Sequence, residues 1–320
     1  MKSKNILFII NPASASGRTL ARWENCLAKI DAADFTYDAQ FTAAKKDAIQ
    51  FTYDAIINKQ YDIIVSVGGD GTANEVINGF MMARAHVPVL PAFTIFPSGT
   101  GSDAVRTLGI TKHIDDFIGL LTKGVPQGID IGQVSYLTLK NLPEQRYFLN
   151  ACDMGIGATV AHTVNNMNQS HEKKSGKAKY FRSIMEQVFK FKPFDASYIV
   201  DNQVHYVKKT VIIAICNGMF FGGGVKVSPL SKMNDNQLEC LATTDVSKVG
   251  LMGIVSKVYS GAHLGHPKIK FEKGRKIQIT LATPQLLETD GEVCGMVTGG
   301  TFTVCASAIL MLTINKDNSI

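Results

Sequence analysis

The residues of this chain best suited to chemistry are carboxylates set beside glycines. Gly68-Gly69-Asp70-Gly71-Thr72 places one acid among three glycines, and Asp290-Gly291-Glu292 flanks one glycine with two acids. Glycine lets the backbone take positive φ and come close to a ligand, while amides around Asp70 and Thr72 can point at anionic oxygens with the positive end of a following helix behind them. An acid among those amides suits a metal ion bridging phosphates, so the first motif reads as a phosphate-handling turn. A strand-to-helix turn that uses glycine for steric reasons alone is the competing reading. The second motif follows an apolar run that holds both carboxylates on a turn, where one could serve as general base toward a hydroxyl. The alternative there is an ordinary hairpin turn with exposed acids.

Two further turns share the first motif's chemistry. Phe96-Pro97-Ser98-Gly99-Thr100-Gly101-Ser102-Asp103 follows the apolar residues 93–96, and Ile10-Asn11-Pro12-Ala13-Ser14-Ala15-Ser16-Gly17 follows residues 5–10. The elements that must position these turns alternate: strand patterns at 5–10, 36–41, 62–67 and 93–96, and helical patterns ending at 30 and spanning 45–58, 72–82 and 113–121. In the first helix Leu20, Trp23, Leu27 and Ile30 recur at helical spacing. This alternation predicts a doubly wound parallel α/β sheet, whose strand-end loops share one edge and converge on one ligand. Neither G-x-G-x-x-G nor G-x-x-x-x-G-K-[ST] occurs at these turns, which excludes a dinucleotide fingerprint and a P-loop. Beyond Gly128 the rhythm changes to strand-like segments at 147–152, 196–200, 210–216, 238–243, 268–271, 277–281 and 301–304, with helical patterns near 158–167 and 178–191. A β-rich second domain is expected.

At these motifs the chain resembles the bacterial diacylglycerol kinase and lipid kinase family, which shares its catalytic domain with sphingosine and ceramide kinases. The resemblance runs through nearly the whole chain: the Asn11-Pro12 loop, Gly68 to Thr72 with Glu75 and Asn78-Gly79, Pro97 to Asp103 with Arg106 and Leu108-Gly109-Ile110, Ile129-Asp130-Ile131-Gly132, Asn217-Gly218 with Gly222-Gly223-Gly224, Ser228-Pro229-Leu230, and Asp290-Gly291-Glu292. NAD kinases and phosphofructokinases look similar only around Gly68 to Thr72. Two positions depart from the family pattern: Ser102 stands where members usually carry Asn, and Asn236 where they usually carry Gly. Serine keeps a short hydrogen-bonding side chain, and asparagine is the non-glycine residue best tolerated at positive φ.

The resemblance implies a nucleotide-binding α/β catalytic domain over residues 1–127, similar to the parallel sheet of NAD kinases and phosphofructokinases. A β-sandwich lipid-binding domain would follow over 128–320, its last residues packing back on the first domain. It implies ATP and Mg²⁺ as cofactors, with Asn11, Ser14, Thr42, Gly69, Asp70, Gly71, Thr72, Glu75, Thr100 and Asp103 at the nucleotide. Asp70, Asp103 and Asp130 are the acids it places around the catalytic Mg²⁺ and the γ-phosphate, and Asp290 and Glu292 are the base and its partner. A solvent-facing strand-end aspartate is the plain alternative for Asp130. A structural Mg²⁺ is expected at the loop of Lys232, Asp235 and Gln237. The implied reaction is phosphorylation of a lipid hydroxyl, foremost diacylglycerol to phosphatidic acid. The alternatives are another lipid acceptor, a soluble NAD kinase-like acceptor, or a nucleotide- or lipid-binding regulator without turnover.

Length and composition agree with this. At 320 residues, with 45% apolar and 19% charged residues, two globular domains are the default. The net charge of +6 suits phosphates or an anionic membrane, and no aromatic-studded basic stripe argues for nucleic acid. Residues 171–192 carry seven Lys or Arg interleaved with Tyr180, Phe181, Ile184, Phe189 and Phe191, a basic amphipathic pattern that could lie on an anionic bilayer or pack onto the second domain. The six cysteines have no C-x-x-C spacing and read as buried thiols of a reducing compartment. His263 and His266 read as loop histidines, not ligands. Residues 5–10 are too short for a signal peptide, and the charge-free run 293–315 alternates threonines with apolar residues like a strand. A cytoplasmic enzyme in peripheral contact with the inner membrane face is expected; a homodimer is left open.

Overall fold

The computed structural model describes residues 4–58, 61–99, 102–169, 186–187 and 189–314. Thr100 and most of the basic segment 171–192 lie outside them. The chain divides into two compact units. One takes in the described residues up to Ile131, Met233–Asp235 and those from Ala306 on, and the other takes in Gly132–Lys232 and Asn236–Cys305.

The first unit is the expected parallel α/β sheet. Strands β1 (Lys4–Ile10), β2 (Phe35–Phe41), β3 (Ile63–Gly68) and β4 (Ala92–Pro97) pair in the order β2-β1-β3-β4, all parallel. The central strands read as continuous apolar runs because both faces are covered: every residue of β3 and β4 is buried. Helices α1 (Arg18–Asp31), α2 (Asp47–Ile57), α3 (Asp70–Ala83), α4 (Asp103–Leu108) and α5 (Ile114–Lys123) connect the strands or follow them. On α1 the core stripe is Trp23, Cys26 and Ile30, while Leu20 faces outward. Trp23 packs 4.9 Å from Phe8 of β1. Arg22 of the same helix donates to Pro97 O at 2.7 Å, which ties α1 to the end of β4. The far end of β14 (Glu292–Thr313) adds a parallel strand at the open side of β4, with Leu310 opposite Ala92.

The second unit is β-rich and mainly antiparallel. It contains β6 (Pro143–Phe148), β7 (Ala151–Gly155), β8 (Phe194–Val200), β9 (Gln203–Thr210), β10 (Ile212–Cys216), β11 (Leu238–Thr243), β12 (Ile269–Gly274), β13 (Lys276–Thr289), and parts of β5 (Val125–Leu137) and β14. Pairing runs β12-β11-β10-β7-β13-β14. A register shift between Thr280 and Gln285 bends β13, so that Ile277 to Leu281 pair with β8 and Leu287 to Thr289 pair with β7. Helix α6 (Ile156–Gln169) follows β7 directly, and α7 (Lys248–Val258) follows β11. The charge-free run at the C-terminal end forms β14, and among the described residues no helix is long and apolar enough to cross a membrane. Four of the six free thiols are buried. His263 is also buried and bonds Val227 O at 2.8 Å, so it belongs to the core.

Candidate active site

In the first unit the ends of β1, β3 and β4 meet through backbone and short side chains. Asn11 N donates to Val67 O at 3.0 Å, and Asn11 Nδ2 reaches Thr72 Oγ1 at 3.2 Å. Gly68 O accepts from both Ser98 N (3.1 Å) and Gly99 N (2.9 Å). The turns touch so closely that a Cβ on Gly99 would lie 2.4 Å from Gly69 Cα, and one on Gly68 would lie 2.4 Å from Thr72 Oγ1. Here the structure corrects one expectation. Gly68, Gly69 and Gly71 do not take positive φ, and the helix already begins at Asp70. Small size at Gly68 and Gly99 serves close packing of the turns, and Gly69 is the N-cap of α3. The dipole of this 14-residue helix gives its head a positive end.

The acids and hydroxyls at this edge are held by specific partners. Asp70 Oδ1 accepts from Asp103 N at 3.0 Å, linking the heads of α3 and α4. Asp103 is 6% exposed and pairs with Arg106 at 2.8 Å. Glu75 Oε1 accepts from Lys46 N at 3.0 Å, and Thr42 N donates to Ile10 O at 2.9 Å. Ser14 shares a hydrogen bond with Thr19, and the next residues Ala15, Ser16 and Gly17 are all left-handed, an unusual run. Ser102, the departure from the family asparagine, sits at φ 56 and is 2% exposed. Asp130 does not face solvent: it is fully buried, its Oδ1 accepts from Ser307 N at 2.8 Å, and its own amide donates to Met233 O.

In the turn of Lys232, Asp235 and Gln237, Asn236 takes φ 60, the left-handed conformation that glycine would adopt without cost. Asn236→Ala is therefore expected to lower stability by about 1 kcal/mol while Asn236→Gly does not, as measured by the denaturant midpoint. Among the described residues no three His, Cys, Asp or Glu side chains gather to hold a metal by themselves. Mg²⁺ needs fewer, since it keeps waters and phosphate oxygens and takes only one or two carboxylates.

In the second unit Asp290-Gly291 is a two-residue hairpin turn between β13 and β14, closed by Thr289 opposite Glu292. Both turn residues have positive φ, 48 and 89, as the Asp-Gly pair of a type I′ turn requires. Asp290 is nonetheless not a solvated hairpin acid. Its carboxylate accepts three backbone amides, from Leu149 (2.7 Å), Asn150 (2.9 Å) and Ala151 (3.0 Å), and its own amide donates to Ala151 O. Glu292, by contrast, is exposed. The amides are available because the expected single strand 147–152 is two strands, with Leu149 and Asn150 between them. Asn217 braces this break: its Nδ2 donates to Leu149 O at 2.7 Å, and Asn217 N and Gly218 N both donate to Asn150 O. From α6, Asn165 Nδ2 donates to Gly291 O at 3.0 Å.

Sequence reasoning passed over Asn150, Asn165, Asp153 and Glu288, all in this region. The readable signal was an acid inside each of two apolar strands, Asp153 beside Cys152 and Met154, and Glu288 two residues before Asp290. Burial pushes the Cys152 and Cys216 thiols well up, with Glu288, Asp153 and Glu239 adding to it, so neither is a nucleophile here.

Residues 5–134 match the diacylglycerol kinase catalytic domain, and residues 150–313, just over half of the chain, match the YegS C-terminal NAD kinase beta sandwich-like domain. A diacylglycerol kinase of Staphylococcus saprophyticus is 27% identical over 92% of this chain and 91% of its own length, and one of Staphylococcus aureus is 26% identical over 91% and 87%. A solved diacylglycerol kinase from Bacillus anthracis superposes with a TM-score of 0.70 at 19% identity, covering 98% of both chains. The yeast NADH kinase shares the fold more distantly, with a TM-score of 0.54 at 10% identity over 100% of this chain and 86% of that one. With both units matched in order, and with the glycine turns and the Asp290 hairpin built as described, the chain is an enzyme of the bacterial diacylglycerol kinase and lipid kinase family.

Proposed function

We propose that the chain is an ATP- and Mg²⁺-dependent kinase that moves the γ-phosphate of ATP to the hydroxyl of diacylglycerol, giving phosphatidic acid. The observation that carries this reading is the close backbone approach of Gly69 and Gly99 at the head of α3, a cradle suited to phosphate oxygens. Phosphoryl transfer is chiefly positioning and charge stabilisation. Asn11, Ser14, Thr42, Gly69, Gly71, Thr72, Glu75 and Thr100 are assigned to the nucleotide. The hard oxygen donors of Asp70, Asp103 and Asp130 fit Mg²⁺, and bound with the phosphates the ion would offset the charge of the transferred group. Lys232, Asp235 and Gln237 are assigned to a structural Mg²⁺, a role that carbonyl oxygens and one carboxylate also fit. Asp290 takes the proton of the acceptor hydroxyl, with Glu292 beside it on the turn. The second unit is assigned to the lipid, and the enzyme to peripheral contact with the anionic inner membrane face.

The test is transfer of labelled phosphate from [γ-³²P]ATP into diacylglycerol, sphingoid base, ceramide, phosphatidylglycerol and NAD. Labelled phosphatidic acid is the expected product. Labelling of NAD alone would replace the lipid acceptor by a soluble one, and labelling of none would leave a nucleotide-binding regulator.

A further inference from the structure

Behind the Asp290 turn lies a buried acid pair that the roles above do not use. Asp153 of β7 and Glu288 of β13 are direct partners across an antiparallel ladder, so their side chains leave the sheet on one face. Both are sealed from solvent, at 1% and 0% exposure. Each gives one oxygen to a backbone amide: Asp153 Oδ1 accepts from Ala158 N at 2.9 Å in the first turn of α6, and Glu288 Oε2 accepts from Gly291 N at 2.5 Å inside the catalytic turn. The other two oxygens, Asp153 Oδ2 and Glu288 Oε1, are buried and meet no donor among the described residues.

Two ionised carboxylates so placed would repel each other and leave two buried acceptors unsatisfied. One proton removes both problems. With a hydrogen on Glu288 Oε1 donated to Asp153 Oδ2, every oxygen of the pair has a partner and only one charge is buried. The surroundings decide which residue carries that charge. Asp153 sits against the head of α6, where a Cβ on Gly157 would come within 2.5 Å of Oδ2, and a helix N-terminus favours the anion. Glu288 instead feels the negative charge of both Asp153 and Asp290. Burial raises Asp153 to about 6, with hydrogen bonds from Glu288 and Ala158 holding it back, whereas burial and the Asp153 charge drive Glu288 well above the usual carboxylate range. Among the described residues, the other titratable groups around the pair are Asp290, the thiols of Cys152, Cys216 and Cys294, and Glu239 beyond Cys216; α6 itself carries the exposed His162.

We infer that Asp153 and Glu288 share one proton and are positioning residues for the Asp290-Gly291-Glu292 turn, taking that turn as the catalytic one proposed above. Neutral Glu288 donates to Asp153 while it accepts from Gly291 N, and Asn165 of α6 holds Gly291 O. Helix α6 thereby grips both peptide groups of Gly291, one directly and one through the acid pair.

Infrared difference spectra of the full chain should contain a protonated-carboxyl band at neutral pH that Glu288→Gln removes and Glu292→Gln leaves. Absence of a Glu288-dependent band overturns the shared proton. In the phosphate-transfer assay Glu288→Ala should lower kcat by up to about 100-fold with little change in the KM for ATP, the scale of a small misplacement of a reacting group. Glu288→Gln should recover most of that loss, since its amide reproduces both hydrogen bonds, and should shift any alkaline fall in kcat to higher pH, since an amide does not titrate. Equal losses in the two variants overturn the positioning role.

A readout without activity comes from stability. Unfolded Asp and Glu ionise near 3.8 and 4.5, while the folded pair keeps its proton to higher pH. Its contribution is full below those values and declines as pH rises through about 6 and beyond, so Glu288→Gln should flatten the fall of the unfolding midpoint toward alkaline pH. An unchanged slope counts against the shared proton. A wild-type chain that transfers no phosphate refutes the kinase reading, and the infrared and unfolding measurements still decide the proton.

Discussion

Asp290→Asn is expected to lower turnover by roughly 10²- to 10⁴-fold, the usual worth of a general base. The structure adds a second effect that any such measurement must separate. The Asp290 carboxylate accepts the amides of Leu149, Asn150 and Ala151. Asparagine has one acceptor oxygen and an NH₂ group, so with its oxygen toward Asn150 and Ala151 it would set a donor against Leu149 N. A buried donor left without an acceptor costs about 1 to 3 kcal/mol, so the variant should also melt earlier. Assays well below the lowered midpoint, with ATP binding measured on the same preparation, isolate the chemical loss. Turnover near wild type under those conditions would remove Asp290 from the base role and transfer it to the exposed Glu292.

The first unit was legible because its signals are local and repeated. Apolar runs bounded by glycine turns, with helical spacing between them, suffice for a parallel sheet, and every residue of β3 and β4 is buried as such runs require. Gly68, Gly69 and Gly71 lack the positive φ expected of them, and the steric reading of the turn holds at Gly68 and Gly99. Small size and positive φ leave the same letter in a sequence, and only the contact of Gly99 with Gly69 tells them apart. At Asn236 the conformational explanation does hold, at φ 60. Asp130 resisted reading for a different reason: an acid in an apolar strand looks like a strand end, whereas its partners Met233 and Ser307 are more than a hundred residues away in sequence. The second unit hides its site in the same way. Residues 147–152 have continuous β character, and the acid that meets the amides at the interruption, Asp290, is 141 and 140 residues away from Leu149 and Asn150 in sequence. Helix α7 went unread because its valines, isoleucine and glycines favour other structures, and packing overrides that preference.

Gly99→Ala should reveal what the packed turns are for. The added Cβ would meet Gly69 Cα at 2.4 Å and Gly69 N at 3.2 Å, and both are backbone atoms that cannot swing aside like a side chain. The ends of β3 and β4 must move apart, stretching the bond from Gly99 N to Gly68 O and shifting the N-cap of α3. Overpacking of this kind costs about 1 to 3 kcal/mol. If the turns relax in the free protein and must be forced back around the nucleotide, that cost falls on binding, and ATP affinity drops by about 5- to 150-fold. Gly71→Ala provides the contrast for stability, because Gly71 lies in the first turn of α3 without positive φ, where alanine is the better helix former. Calorimetric titration with ATP, read beside unfolding midpoints without nucleotide, distinguishes two uses of one contact. A Gly99→Ala protein that loses stability and binds ATP as wild type would reduce the Gly69 contact to packing, and the phosphate cradle would have to be sought at another turn of the same sheet edge.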